Sequence, residues 1–431
     1  MKRRREPVNE EDSLLVITSY HDDTKESKGL DPIAIHAKRI LTQLSKSQKI
    51  LVLAEKSGRK KTHLVNKQLT VLRVWEKKHP LAFPMILTYV AKYNKIRMIH
   101  IQFDFHTFGG VVPGMFLPVL VGALKIMGKH VSIELHHVPF DITTLKRQHK
   151  HKPHMFKEVL NRGLALFYKA IGALCDKVIV FEEDLRERLT SAIPEEKLIV
   201  LPMGVNEQPV VNKSAAKRRL GIKPDQFVLL SFGFFDWHKG TDWLAKTIQD
   251  LKLSRVNLLL VGGQNPALKY SPNYREFYRD IMKMSMQGKK AIKIVGFVPD
   301  KHMSMYFSAA DLVVFPYREF LAAPAAVTHA LSFGKPLVFS NNLTDYTKSP
   351  DFAHAMEEAG LTTKDLFFQL HRTEFEAFIM RAKNNKDVYK KLVKFSHILA
   401  QERKSTRVLR DYQTIISKRY AMRPRFMFRF R

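Results

Sequence analysis

Cysteine is nearly missing: the 431 residues include one, Cys175, which excludes an internal disulfide and suits a reducing compartment. It follows the apolar helical run 171–174 and reads as a buried, inert thiol rather than a nucleophile. Low-complexity tracts are absent, and the opening MKRRREPVNEEDS lacks the apolar core of a secretory leader, so none is expected. The longest uncharged run, FGGVVPGMFLPVLVGAL at 108–124, is broken by Gly109, Gly110, Pro113, Gly114, Pro118 and Gly122. It therefore reads as a loop feeding a buried helix, not as a membrane span. Acidic residues are the scarce charge: 41 Asp and Glu against 72 Lys and Arg leave a net charge of +31. That excess implies an anionic partner, whether nucleic acid, an acidic lipid surface or a phosphorylated substrate.

The 45% of hydrophobic residues is enough for two domains, each with its own core. The run LLVIT at 14–18 predicts a buried strand. A polar loop over 19–31 containing Gly29, a helix over 32–44 and a second strand over 50–54 follow. Further strands are expected at 98–103, 131–135 (ending at His136 and His137), 177–181 and 198–201, with helices between them. Two stretches are strongly basic: 56–78, which includes Trp75, and TLKRQHKHKPHMFK at 144–157. The histidines of the second (His149, His151, His154) have no nearby acidic or Cys ligand, so a solvated or membrane-facing loop is the reading there. A polar, basic linker is expected over 205–224.

The second half repeats the alternation. Strands are expected at 227–233, 256–261, 292–295, 312–315 and 337–340, each leading into a Gly- or Pro-bearing loop and then a helix. The stretch DLVVFPYREFLAAPAAVTHALSFGKPLVFS at 311–340 is the centre of this half: strand, loop 316–324, helix 325–333, turn, strand. In a doubly wound sheet ligands collect at the carboxyl ends of strands, where this loop lies. The helix after it opens with unpaired backbone N–H groups that suit an anion. An ordinary βαβ unit with a solvated Arg318–Glu319 pair fits the same residues. The chain ends in ISKRYAMRPRFMFRFR, a basic-aromatic interleave that suits lipid headgroups or single-stranded nucleic acid, or simply a disordered terminus. The domain division expected is 1–205, 206–395, and a helical and basic tail 396–431 that returns to the first domain.

These segments together resemble the retaining glycosyltransferases of family 4. HIQFDFHTFGG (100–110) is similar to that family's "HxQxExxxFGG", and IELHHV (133–138) to its strand ending in Leu-His. DKVIVFEEDLRERL with EEKLIVLPMGV (176–205) resembles the close of its N-terminal domain, with Gly204 in "PxGV". LLSFGFFDWHKG (229–240), LLLVGG (258–263), VGFVPDKHMSMYFSAADLVVFPYRE (295–319) and ALSFGKPLV (330–338) follow in order and spacing. The resemblance implies the GT-B architecture: two Rossmann-like doubly wound α/β domains facing across a cleft, with a C-terminal helical tail. It also shows departures. Phe234 stands where the family has an Arg five residues before the loop lysine, Lys239. Leu321 and His329 stand at the positions of its paired glutamates, and the stretch is closer to a branch reading "PYRxxxxSGV".

The implied activity is transfer of a hexose, with retention, from a UDP- or GDP-linked sugar to a lipid-linked or glycan acceptor. No cofactor is implied. No metal is implied either, since the chain lacks Asp-x-Asp and cationic groups would face the diphosphate. Lys239 and Arg318 are expected there, with Arg318 replacing the guanidinium missing at Phe234 and the N–H groups around Ala323 and Ala325 assisting. Phe297 and Val298 are expected against the base, and Gly204 on the donor side. His329 is expected on the ribose, although a helix-face core histidine fits it too. Among the catalytic candidates, His136 is expected to contact the sugar or the acceptor, and Glu319 is a further polar group in the cleft. Asp104 and Gly29 are placed on the acceptor side, and Asp104 and Glu319 fit structural ion pairs equally well. The basic stretches of the first domain suggest peripheral association with an anionic surface at the cytoplasmic face of the membrane. The positive charge is spread through both halves without a recognition motif, which argues against nucleic acid. The departures leave open a lapsed relative that binds a nucleotide sugar without turnover.

Overall fold

Runs such as LLVI and ILVLAE bury both faces of a strand, which favours parallel pairing under covering helices. The computed structural model describes residues 13–21, 32–56, 62–139, 154–251, 253–265, 268–287, 291–320 and 325–416. It divides the chain into two units: Met1–Pro202 with Arg407–Arg431, and Met203–Thr406.

The first unit holds β1 (Leu14–Ile17), β2 (Ile50–Glu55), β3 (Thr62–Asn66), β4 (Leu69–Trp75), β5 (Met98–Phe103), β6 (His130–Leu135), β7 (Lys177–Val180) and β8 (Leu198–Val200). Their order is β3-β4-β2-β1-β5-β6-β7-β8, parallel throughout except for the antiparallel β3–β4 pair. Alternate residues of β1 feed opposite cores: Leu15 and Ile17 pack on one face, Leu14 and Val16 on the other. The basic stretch 56–78 is thereby corrected. Its second half is β4, with Leu69, Val71 and Trp75 buried. Arg73 is buried too and donates to the Tyr20 carbonyl (2.8 Å) and the Glu55 carbonyl (3.2 Å). The short β-branched and apolar run LTVLRVW, buried at all but Thr70, carried the strand, and the charges around it masked that signal.

The run 108–124 forms two helices, Val111–Met115 and Leu117–Ile126. Leu117, Leu120, Val121 and Leu124 are buried, but Val112, Phe116 and Val119 are 72%, 58% and 67% exposed. Among the described residues no helix is long and apolar enough to cross a membrane.

The second unit is a six-stranded parallel sheet of β9 (Phe227–Phe232), β10 (Val256–Val261), β11 (Ile292–Gly296), β12 (Leu312–Phe315), β13 (Leu337–Ser340) and β14 (Phe367–Phe368). The order β11-β10-β9-β12-β13-β14 reverses direction between β9 and β12, the Rossmann pattern with its ligand crevice at that switch point. The expected linker 205–224 is part of this unit. Its helix Lys213–Arg219 is anchored by buried Lys217, whose Nζ lies 2.8 Å from Asp311 Oδ2 and 2.6 Å from the Gln226 carbonyl.

The C-terminal region divides at 406/407 rather than at 395. Leu392, Phe395 and Leu399 of helix Lys386–Glu402 belong to the second core. Val408, Tyr412, Ile415 and Ile416 of helix Ser405–Ile416 belong to the first. Their spacing puts one apolar face on the sheet. The basic-aromatic segment 417–431 lies outside the described residues, as do Gly29, His149 and His151.

Candidate functional site

Three strand ends of the second unit meet on glycine. Gly233, Gly262 and Gly296, after β9, after β10 and at the end of β11, have φ of +114°, +153° and +78°, conformations that other residues rarely adopt. A Cβ on Gly262 would stand 1.8 Å from the Gly233 carbonyl oxygen. The backbones are stitched together there: Gly233 N–H donates to Val261 (2.9 Å), Gly262 N–H to Gly296 (2.9 Å) and Phe235 N–H to Gly263 (2.8 Å). The result is a surface of bare backbone at the carboxyl ends of the strands, beside the switch point.

Lys239 reaches over this surface. It closes the short 3-10 turn Trp237–Lys239, and a Cβ on Gly233 would stand 3.3 Å from its Nζ. Burial lowers its pKa, and the charge of Asp236 only partly opposes that. Among the described residues Lys239 Nζ has no hydrogen bond or ion pair, and Asp236 is otherwise engaged. The Asp236 carboxylate lies 3.2 Å from His238 Nδ1 and accepts from Asn265 Nδ2 at 3.2 Å. Its own burial would raise its pKa, but His238, Lys239 and Asn265 together hold it below the usual value. Gly240, at φ +67°, lets helix Thr241–Leu251 start where a Cβ would meet the Pro316 carbonyl oxygen at 1.9 Å. The loops after β9 and β12 therefore touch.

Arg318, the other cation expected at the diphosphate, is held by protein groups. Its guanidinium was assigned to the diphosphate, but Nη1 donates to Asp242 Oδ1 (2.7 Å) and to the Trp237 carbonyl (2.6 Å), and Nη2 to Asp242 Oδ2 (3.0 Å). The guanidinium also lies over the Trp237 ring at 4.9 Å, and the Arg318 N–H donates to the His238 carbonyl at 2.7 Å. Arg318 thus clamps one loop onto the other. Asp242, Asp236, Trp237, Asn265 and Tyr274 escaped the sequence reading. Tyr274 Oη donates to the Phe235 carbonyl (2.8 Å) and accepts from Asn265 N–H (2.5 Å). The acid in the first turn after Gly240 was the one signal for Asp242.

The other residues expected around the donor fall in three groups. Phe297 is exposed and Val298 buried just after β11, with the Phe297 nitrogen 3.3 Å from a Cβ on Gly263. His329 is partly buried, its ring edge-on to Phe232 at 5.2 Å, so it is joined to the end of β9. Ala325 is exposed at the start of helix Ala325–Ser332 and Glu319 is partly buried beside Arg318, whereas Leu321 and Ala323 lie outside the described residues. Gly204 sits apart: it packs on the second unit's own Ser405, whose Cα would be 3.0 Å from a Cβ there.

In the first unit Asp104 and His136, expected near acceptor and sugar, are internal. Asp104 is buried, pairs closely with His137 Nδ1 and accepts from His106 N–H at 2.7 Å. Burial would raise its pKa, but these partners hold it well below the carboxylate range. That is the structural ion pair weighed for it. His136, expected to meet the sugar or the acceptor, is buried with Nε2 2.8 Å from Glu134 Oε1, beside His36 and Phe181.

A switch-point platform of glycine backbone under Lys239 marks the second, Rossmann-like unit, and the chain as a whole has the GT-B fold. Residues 226–354, within the second unit, match the family model described as Glycosyl transferases group 1. An uncharacterized glycosyltransferase of Methanocaldococcus jannaschii is 25% identical over 198 residues, 41% of this chain and 48% of the relative, so the match spans about half of that protein. Sucrose-phosphate synthase of Thermosynechococcus elongatus is similar in structure with TM-score 0.72 at 15% identity, covering 95% of this chain and 100% of that one. Anabaena HepE, solved in complex with UDP and glucose, is similar with TM-score 0.65 at 15% identity, over 94% and 99% of the two chains.

Proposed function

We propose that this chain is a glycosyltransferase that moves a hexose, with retention, from a UDP- or GDP-linked sugar to a lipid-linked or glycan acceptor. The observation that carries the reading is Lys239: a partly buried ammonium, without a hydrogen bond or ion pair among the described residues, over glycine backbone at a Rossmann switch point. A diphosphate gains negative charge as the glycosidic bond breaks, and fixed positive charge with nearby backbone approach stabilises it where water is excluded. Lys239 holds the diphosphate, Phe297 and Val298 flank the base, and His329 offers an imidazole to the ribose. The N-terminus of helix Ala325–Ser332 offers backbone N–H groups, and Glu319 lies toward the sugar. With a lysine in this place the donor needs no bridging Mg²⁺, so turnover is expected to be independent of added Mg²⁺. The segment match to group 1 glycosyltransferases supports transfer as the chemistry.

A second part of the reading concerns location. Val112, Phe116 and Val119 are joined by exposed Val159 and Leu166 of helix His154–Leu174, whose Gly163 lies against Met115. Exposed Arg162 and Lys169 flank Leu166, and exposed Lys77 and Lys78 border the Gly109–Gly110 bend that leads into Val111. An apolar ridge rimmed by cations fits an anionic membrane surface, as a peripheral protein of the cytoplasmic face.

The test is thermal unfolding with UDP, GDP and their glucose and mannose conjugates. Stabilisation by one base, lost in Lys239→Ala, is expected, followed by transfer of the sugar with its anomeric configuration kept in the product. No stabilisation by either nucleotide would overturn the donor site.

A further inference from the structure

The first unit holds a buried constellation separate from the Lys239 site. Helix Pro32–Leu44 supplies His36, and β6 with the residue following it supplies Glu134 and His136, all three buried. His36 Nε2 lies 3.1 Å and His136 Nε2 2.8 Å from the same oxygen, Glu134 Oε1. The donor atoms of the three residues all lie within 4.8 Å of one another. The distances are those of hydrogen bonds but the directions are not. His36 Nε2, His136 Nε2 and both Glu134 oxygens are buried without one. Four orphaned polar atoms around one point are a rare defect in a folded protein and call for an ion or water.

We infer that His36, Glu134 and His136 bind a first-row transition-metal dication. Two imidazoles and a carboxylate are the donor set of catalytic zinc sites and of non-haem iron. Ligands about 2.0–2.1 Å from a tetrahedral zinc stand roughly 3.3 Å from one another, close to the two nitrogen–oxygen separations seen. The imidazole rings of His36 and His136 are nearly perpendicular (84°), with Phe181 edge-on to both, so apolar surface closes one side. Charge points the same way. Among the described residues Glu134 has only histidines as ion-pair partners, and a buried carboxylate without a cation is costly. His100 is not available as a further ligand. Its Nε2 is 3.8 Å from Glu134 Oε2 and is bonded to Tyr412 Oη (2.6 Å), while Nδ1 meets Ser132 Oγ (2.9 Å). It forms an outer layer around the carboxylate.

The experiment is titration of the full-length, chelator-treated chain with Co²⁺, read by visible absorption, then displacement by Zn²⁺ with metal analysis of the dialysed protein. One ion per chain is expected, without sulfur charge-transfer bands, because the one cysteine is elsewhere. Replacing even an outer-shell partner weakens metal by roughly 10–100-fold. His36→Ala and Glu134→Gln, each removing a ligand, should therefore weaken it at least that much. A triple His149→Ala, His151→Ala, His154→Ala variant, which removes the other histidine tract, should keep the ion. Zn²⁺ should also raise the melting temperature of the wild type but not of Glu134→Gln. The inference is overturned if the wild type gives no cobalt spectrum and retains no zinc, a result that needs no variant to fold. It is equally overturned if the ion stays in Glu134→Gln and leaves with the triple variant.

Discussion

At the scale of single residues, Lys239 and Arg318 make opposite predictions. Lys239 has a lowered pKa because burial removes water from its ammonium, and a bound diphosphate would hold the proton on it. The free protein therefore gives up this proton at a lower pH than the complex does. Nucleotide affinity should be constant while the free lysine is charged and should fall as pH rises through that lowered pKa. Titration calorimetry across alkaline pH should show this fall in the wild type and a flat, weak profile in Lys239→Ala. Arg318 should instead act through Asp242, which receives both of its Nη groups. If it only clamps the loops, Arg318→Ala, Asp242→Ala and the double variant should weaken nucleotide binding to similar extents, a strongly non-additive cycle. Arg318→Lys should not rescue, since a single ammonium cannot make the forked contact. A loss in Arg318→Ala that Asp242→Ala does not share would return the guanidinium to the diphosphate.

At the scale of elements, buried Asp311 at the foot of β12 ties together parts of the second unit that are distant in sequence. Its carboxylate takes Lys213, Lys217 and the Val228 N–H, joining helix Lys213–Arg219 and β9 to β12. Asp311→Ala leaves Lys217 buried without its counter-charge, and such a loss costs about 3–5 kcal/mol. Urea unfolding should show it as a lower midpoint, while Asp225→Ala, whose carboxylate sits 3.9 Å from Arg255 on the surface, should change little. The strands themselves were legible in the sequence: buried parallel runs such as LLLV and LVVF are too apolar to be anything exposed. The hairpin β3–β4 and helix Lys213–Arg219 were not, because buried Arg73 and Lys217 look like surface charge until their carbonyl and carboxylate partners, set by tertiary contact, are known. The site shows the same split. Lys239 and the glycines could be read from local spacing, whereas the Arg318–Asp242 pair and the His36–Glu134–His136 cluster join residues that only the fold brings together.

At the scale of the whole molecule, the net charge of +31 and the exposed ridge of the first unit bear on one question, where the protein sits. Charge alone would draw any anionic polymer and would be screened over a Debye length of about 8–10 Å at physiological salt. Apolar side chains add a term that salt does not screen, since burying them in the headgroup region depends on area. Each cation near an anionic bilayer contributes roughly 1 kcal/mol, so Lys77, Lys78, Arg162 and Lys169 together outweigh the loss of any one of them. Vesicle sedimentation separates the two contributions. Wild-type protein should bind phosphatidylserine-containing vesicles and lose most, but not all, of that binding in high salt. Phe116→Asp with Val119→Asp should abolish the salt-resistant part, and both positions are exposed enough for the substitutions to leave the fold intact. Equal binding to neutral and anionic vesicles would remove the charge contribution, and binding to neither would remove the membrane from the reading and leave a free glycan as the acceptor.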